Sequence, residues 1–423
     1  MATGPTHEPD CRCRICGSSV REFFDFGMQP VANGFVSEEQ LGQESFFRLS
    51  VGVCTNCTMV QLTQEVPRST LFHADYPYRS SGSAIMREHF ESFAHSLLHE
   101  ELSGPDPLVV EIGSNDGIML KKVSDAGVRH VGVDPSAAAA KVAAAKGVNV
   151  RVEFFEESSA AAIRDEYGPA DVIFSANTFS HIADIGSVLN GVDILLAGDG
   201  TFVFEDRYLG DIVAKNYFDQ IYDEHFYLFS VASVRTMAAR HGFELVDATR
   251  LPVHGGSVRY VLARAGSRPT HPRVELFLRD EDGNGITAME TLTRFGENID
   301  RIRHDLVTLL RDLRARGKHV VGYGATSKST TVLNYCGIGT ELIPRICDST
   351  PEKQGTFTPG VHIPVTPPET FHDPFPDYAL LFAWNHAEEI FEKETEFVRN
   401  GGEWILYVPR VHIHRPGSLP VVA

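Results

Sequence analysis

"LVVEIGSNDG", residues 108–117, sets four aliphatic side chains around Glu111 and then breaks into glycine at 113 and 117. A buried strand that turns sharply into a helix has this form. Glycine at such a turn lets backbone approach a ligand, and the open N–H groups that begin the helix favour a carboxylate or phosphate. The next apolar run, "VGVDPS" (131–136), ends in Asp134, 21 residues after Gly113, where a carboxylate can accept hydrogen bonds from two ribose hydroxyls. A dinucleotide fingerprint reads G-x-G-x-x-G. This one reads G-x-x-x-G with an acid before the first glycine, which favours S-adenosylmethionine (SAM) over NAD. Glu111, Gly113, Asn115, Gly117 and Asp134 are therefore candidate cofactor contacts. "FSANTFSHI" (174–182) ends the following strand on the same crevice, adding Asn177 and, a helical turn deeper, His181.

Outward from this turn, strands and helices alternate between about 75 and 265: "PLVVEIG", "HVGVDPS", "DVIFSAN", "TFVFED" and "SVRYVLAR" read as strands. That alternation implies a mostly parallel, doubly wound sheet. "RAGSRPTHPRVE" (264–275) reads as a linker, and "DEDGNG" (280–285) as a polar turn, since its calcium-loop register would need an acid where Thr291 stands. Met289, Leu292, Phe295, Ile299, Ile302, Leu306, Leu309 and Leu313 then draw one apolar helical stripe. A second alternating segment follows, through "HVVGYGATSKS", "IPRICDSTPEKQG", "YALLFAWN" and "EWILYVP". Its order of strand, glycine turn, helix and acid-ended strand repeats the first, with Gly322 preceding Asp348 by 26 residues. The expected architecture is α/β with a small module at 1–70, a Rossmann-like SAM domain at 71–266 and a second Rossmann-like domain at 267–423.

The small module is read from its cysteines. Five of the seven fall in the first 57 residues, and "CRIC" with "CTNC" supply Cys13, Cys16, Cys54 and Cys57 as two C-x-x-C knuckles. Four thiolates so spaced suit a tetrahedral zinc ion. Because they fill its coordination sphere, the zinc is structural rather than catalytic.

Composition narrows the partners. The 423 residues are too many for one ordinary core. A net charge of -18, from 38 basic and 56 acidic residues, repels a phosphate backbone, so no nucleic-acid partner is expected. No apolar run is long enough to span a membrane and no signal-peptide core is visible. A cytoplasmic protein, a monomer or weak dimer, is the expectation.

"IYDEHFYLFS" (221–230) packs Asp223, Glu224 and His225 among four aromatic rings. Taken with the cysteine pairs, "YPYRSSGS", "EIGSNDG" and "GYGATSKS", it gives the chain an order of motifs that resembles the SAM-dependent deoxysugar C-methyltransferases of antibiotic biosynthesis. The resemblance spans nearly the whole chain. It implies zinc on Cys13, Cys16, Cys54 and Cys57, SAM on the Gly113–Gly117 turn and Asp134, and a sugar nucleotide near Tyr323 to Ser329. The implied substrate is a dTDP-linked 3-amino-4-keto-2,3,6-trideoxyhexose of the tetronitrose type, methylated at C-3′. A related dTDP-4-keto-2,6-dideoxyhexose without the amino group is the nearest alternative. "EDRYLGD" departs from the family pattern at Arg207, where proline is commoner.

C-methylation next to a ketone needs a base for the C-3′ proton and donors for the enolate oxygen. His225 is chosen as the base, since imidazole is largely neutral near pH 7. Glu224 either orients it or replaces it. Tyr222 and His181 are candidate donors to the enolate oxygen, Tyr222 also touching the sugar, and Tyr76 is a candidate to close the pocket. Asp223 reads as a solvent-facing acid. Lys328 is a counter-charge for the diphosphate, Ser329 a further candidate contact to the sugar nucleotide, and Tyr323 would stack on thymine. Two other classes compete: an NAD-dependent nucleotide-sugar oxidoreductase or epimerase, and a zinc-ribbon nucleic-acid-binding regulator.

Overall fold

The run at 108 forms the middle of a seven-stranded sheet. In space the strands are Phe243–Leu251, Ser257–Arg264, Leu196–Arg207, Ala170–Ala176, Leu108–Ile112, Arg129–Val133 and Val150–Arg151. Counted along the chain from Leu108, that order is 6-7-5-4-1-2-3. Ser257–Arg264 runs antiparallel to both neighbours, and the other pairings are parallel. The order reverses between Leu108–Ile112 and Ala170–Ala176, so a crevice opens beyond their carboxyl ends. The computed structural model describes residues 11–71, 84–102 and 104–414. Tyr76 and the rest of "YPYRSSGS" (76–83) lie outside the described residues.

The second doubly wound unit has six strands, in the order Val365–Thr366, Ile346–Cys347, Val320–Tyr323, Tyr378–Leu381, Glu403–Leu406 and His412–His414. Only the last pairing is antiparallel. Along the chain this order is 3-2-1-4-5-6, so both units share 3-2-1-4-5. The likeness reaches single bonds: Gly113 N donates to Val133 O and Gly324 N to Cys347 O, each at 2.8 Å.

The third sheet is small and antiparallel: Val20–Pro30, Phe46–Cys54, Val60–Leu62 and Tyr227–Leu228. Its last strand comes from the middle of "IYDEHFYLFS", so the cysteine module and the central unit share a sheet. One apolar core runs through all three sheets.

The long helix is Met289–Ala315, and it buries Leu292, Phe295, Ile299, Ile302, Leu306, Leu310 and Leu313 against the first strand and helix Ser327–Cys336. Leu310 takes the place expected of Leu309, because the 3.6-residue period drifts off a seven-residue pattern over about six turns. A helix, Pro272–Asn284, replaces the last third of the expected linker and most of the expected polar turn. Gly285 caps it in the left-handed conformation. Glu281 within it is buried and accepts from Val231 N (2.6 Å) and Ala232 N (2.9 Å), an acid at another helix's N-terminus.

Candidate functional site

The four knuckle cysteines converge. Their Sγ atoms all lie within 4.8 Å of one another, with Cys13 and Cys57 at 3.5 Å and Cys16 and Cys54 at 3.4 Å. Tetrahedral Zn–S bonds of about 2.3 Å set sulfurs roughly 3.8 Å apart, so the cluster fits zinc. Backbone N–H groups already face the sulfurs: Ile15 N is 3.4 Å from Cys13 Sγ, and Asn56 N and Cys57 N are 3.4 Å from Cys54 Sγ. Such donors stabilise thiolates.

A cleft of about 870 Å³ runs between the two doubly wound units, with Asn33 of the cysteine module on its rim. Gly113, Asn115, Asp134 and Asn177 line one wall. Gly113 has φ 74°, and a Cβ there would overlap the Thr178 side chain. Asn115 and Asn177 are left-handed too, at φ 46° and 51°, a conformation that asparagine tolerates better than most residues. Asp134 Oδ2 accepts from Asn115 N (2.9 Å) and Oδ1 from Ser136 N (2.8 Å). Burial pushes its pKa up, and those two N–H groups oppose the shift. Asn177 Oδ1 is buried with no hydrogen-bond partner among the described residues. A carboxylate for a ribose diol and an acceptor awaiting an N–H donor are the groups SAM would complete. Phe154 and Phe155 extend this wall.

Glu111 and Gly117 stand behind the wall. Glu111 is buried in its strand, held well above the usual carboxylate range by burial and by Asp134, Asp116 and Glu205. Gly117 packs under Ala143 and Val148.

The segment at 221–228 crosses the floor. Tyr222, Glu224 and His181 line the cleft. His225 lies one layer behind them, 1% exposed, its ring 3.9 Å from Tyr222 and 5.0 Å from His181. His225 Nδ1 is 2.5 Å from Gln220 O, so Nδ1 carries the proton. Nε2 keeps a lone pair with no hydrogen-bond partner among the described residues. Burial, then Arg207, depress its pKa well below the ordinary histidine value, leaving the ring neutral. His181 is depressed for the same two reasons.

Asp223 corrects the expectation of a solvent-facing acid. It is 1% exposed, and both its oxygens lie 3.2 Å from Ala32 N. Burial and neighbouring Glu224 raise its pKa well above the usual range. Asn33 Nδ2 donates to Glu224 Oε1 at 2.6 Å, and Thr330 Oγ1 donates to Ala32 O at 2.8 Å. The loop at 32–33 therefore ties the acids to the C-terminal unit.

The opposite wall is Ala325 to Lys328, Asp348, Thr350, Lys353, Asn385 and His386. Thr326 caps helix Ser327–Cys336, so its open N–H groups point into the cleft. Lys328 Nζ donates to Asn385 Oδ1 at 3.0 Å, and Lys353 Nζ to Ala325 O at 2.7 Å. Burial lowers Lys328 to about 8, with Asp219 pulling the other way, and lowers Lys353 too. Asp348 repeats Asp134: Oδ2 accepts from Ala325 N (2.6 Å) and Oδ1 from Thr350 N (2.7 Å).

Two expected contacts fall elsewhere. Tyr323 packs against Phe371 and Trp404 with its hydroxyl 2.7 Å from Glu394 Oε1, away from the cleft. The side-chain alternation of its strand turns it to that face. Ser329 is fully buried, its hydroxyl donating to Thr326 O at 2.6 Å. Asn33, Lys353 and His254 line the cleft without a sequence motif to announce them, and Arg207 of "EDRYLGD" joins them there.

Three family models match along the chain: a zinc binding domain at residues 13–72, a methyltransferase domain at 86–248 and a C-methyltransferase C-terminal domain at 252–409. The chain is 37% identical to the C-methyltransferase NovU of Streptomyces niveus over 409 residues, covering 96% of this chain and 97% of that protein. Among solved structures, a SAM-dependent methyltransferase from Anabaena variabilis aligns at 19% identity over 41% of this chain and 84% of its own, with a TM-score of 0.34. The magnesium protoporphyrin IX methyltransferase of Synechocystis aligns at 14% over 42% and 79%, with a TM-score of 0.33. Those two likenesses are too partial to add to the assignment. Full-length similarity, the three models in order and the cysteine cluster decide it: the chain belongs to the SAM-dependent C-methyltransferases, enzymes whose cofactors here are SAM and zinc.

Proposed function

We propose that the enzyme methylates C-3′ of a dTDP-linked 3-amino-4-keto-2,3,6-trideoxyhexose, as in antibiotic deoxysugar biosynthesis of the tetronitrose type. The observation that supports it is one cleft with two unlike walls. On the central side, Gly113, Asn115, Asp134 and Asn177 would hold SAM. On the other, Lys328, Lys353 and the helix N-terminus at Thr326 would hold a diphosphate. Between them Glu224 offers a carboxylate suited to an amino group.

SAM, when bound, supplies a methyl carbon already activated by its sulfonium. The protein's task is to make a nucleophile of C-3′. His225 Nε2 has the free lone pair that can take the proton, and Gln220 O fixes the tautomer that exposes it. Tyr222 and His181 stand in front of it as donors toward the enolate oxygen. A buried neutral imidazole and Glu224, held by Asn33, divide the work of base and orienting group.

The decisive assay offers SAM with the 3-amino-4-keto sugar nucleotide and with its counterpart lacking the amino group, reading the product by mass and NMR. A methyl at C-3′ of the amino sugar is expected. Turnover only of the other sugar would transfer the assignment to that substrate, and turnover of neither would refute it. His225→Asn should lower methylation by about 10²–10⁴ with SAM affinity unchanged, whereas an intact rate in that variant and a lost one in Glu224→Gln would move the base to Glu224.

A further inference from the structure

Arg207 ends the strand Leu196–Arg207 and lines the cleft beside His181 and His254. Its side chain is only 11% exposed. Nη1 makes one long contact, 3.4 Å, with Asp206 Oδ1. Its Nε–H has no hydrogen-bond acceptor among the described residues.

Asp206 is in no position to satisfy it. Oδ1 already accepts from Ser180 Oγ (2.9 Å) and Arg207 N (3.0 Å), and Oδ2 from Ser180 N (2.9 Å). A guanidinium held out of water with an open donor is costly until a ligand accepts from it. The ligand group must be electron-rich, and the neighbours say which one. Arg207 is the foremost charge acting on His181, His225 and His254, ahead of Lys328 wherever both act. It therefore belongs with the proton-transfer groups, while the lysines belong to the opposite wall.

We infer that Arg207 is a catalytic residue whose Nε–H donates to the C-4′ oxygen of the keto-sugar and stabilises the enolate. This rests on the substrate reading above. In the step concerned, the base takes the C-3′ proton and the C–H electron pair becomes the C-3′=C-4′ π bond. The carbonyl π pair moves onto O-4′, which then carries the charge that Arg207 meets. Nothing is oxidised or reduced, and no co-reactant is consumed. Tyr222 and His181 are neutral donors; Arg207 adds a full positive charge where a full negative one develops. The same charge disfavours protonated His225, so it opposes the imidazolium while favouring the oxyanion, and the enolate must lie closer to it than the base does.

Enolisation can be read without methyl transfer. With S-adenosylhomocysteine in the SAM site and the 4-keto sugar nucleotide in D₂O, the enzyme should wash deuterium into C-3′, followed by NMR. Arg207→Met should slow that exchange by about 10²–10³, the usual loss for one oxyanion donor, with KM for the sugar nucleotide unchanged; Arg207→Lys should recover part of it. Exchange at the wild-type rate in Arg207→Met, or a loss confined to KM, would remove Arg207 from the chemistry and make it a phosphate contact at most. Should Arg207→Met fail to bind S-adenosylhomocysteine, Arg207→Gln is read by the same two criteria. No exchange by the wild-type enzyme on either sugar would overturn the substrate reading, and with it this role; exchange that survives in the variants overturns the role alone.

Discussion

The two doubly wound units are one device lined by acids in one copy and by lysines in the other. Each runs strand, glycine turn, helix, and a second strand ending in an acid that accepts from the turn and from the residue two places after itself. The central copy surrounds its turn with Glu111, Asp116 and Asp134 and leaves an acceptor, Asn177 Oδ1, open. The C-terminal copy places Lys328 and Lys353 in the cleft beside its own acid. A backbone cradle of this kind fixes where a ligand lies, and the side chains around it decide the sign of the ligand.

The sharpest way to break that comparison is Gly113→Ala. A left-handed alanine costs about 1–2 kcal/mol, and its Cβ would also overlap Thr178. SAM affinity should fall by about 100-fold or more, with sugar-nucleotide affinity intact by calorimetry; equal loss of both would show that the two cradles are not independent. Lys328→Met should raise KM for the sugar nucleotide by about 10- to 150-fold, the worth of one hydrogen bond to a charged group, and leave SAM binding alone. A shift in SAM affinity instead would place Lys328 on the wrong wall.

A titration sharpens the same point. Burial lowers Lys328 to about 8, so its charge is complete below that pH and fades above it. Sugar-nucleotide affinity should weaken as pH passes about 8, and SAM affinity should not follow it. The smallest effect belongs to the tether between the units. Asn33→Ala removes the 2.6 Å bond to Glu224 and should lower kcat by about 10-fold at constant KM; a change in KM alone would make Asn33 a substrate contact.

Much of this was legible in the chain because it is local. Gly113 and Asp134 sit on adjoining strands of a single strand–helix–strand unit, and each C-x-x-C pair is one turn. The remainder depends on residues brought from afar. Asn33 meets Glu224 across 191 positions, and no periodicity encodes such a meeting. Asp223 misled because an acid between polar neighbours resembles surface, whereas its partner is the backbone N–H of Ala32. Tyr323 misled for a geometric reason: it belongs to the right strand but to the face covered by Phe371 and Trp404.

Tyr227–Leu228, the fourth strand of the cysteine-bearing sheet, bears on how the protein is made. Val60–Leu62 leaves the ribosome early, yet the strand that pairs with it follows some 165 residues later. Until then the zinc module has an open edge, the kind of template on which chains aggregate. At about 5–20 residues per second, that exposure lasts roughly 10–30 s in every round of synthesis. A fragment ending before residue 227 would keep the edge open permanently, and should be sticky even with its zinc in place.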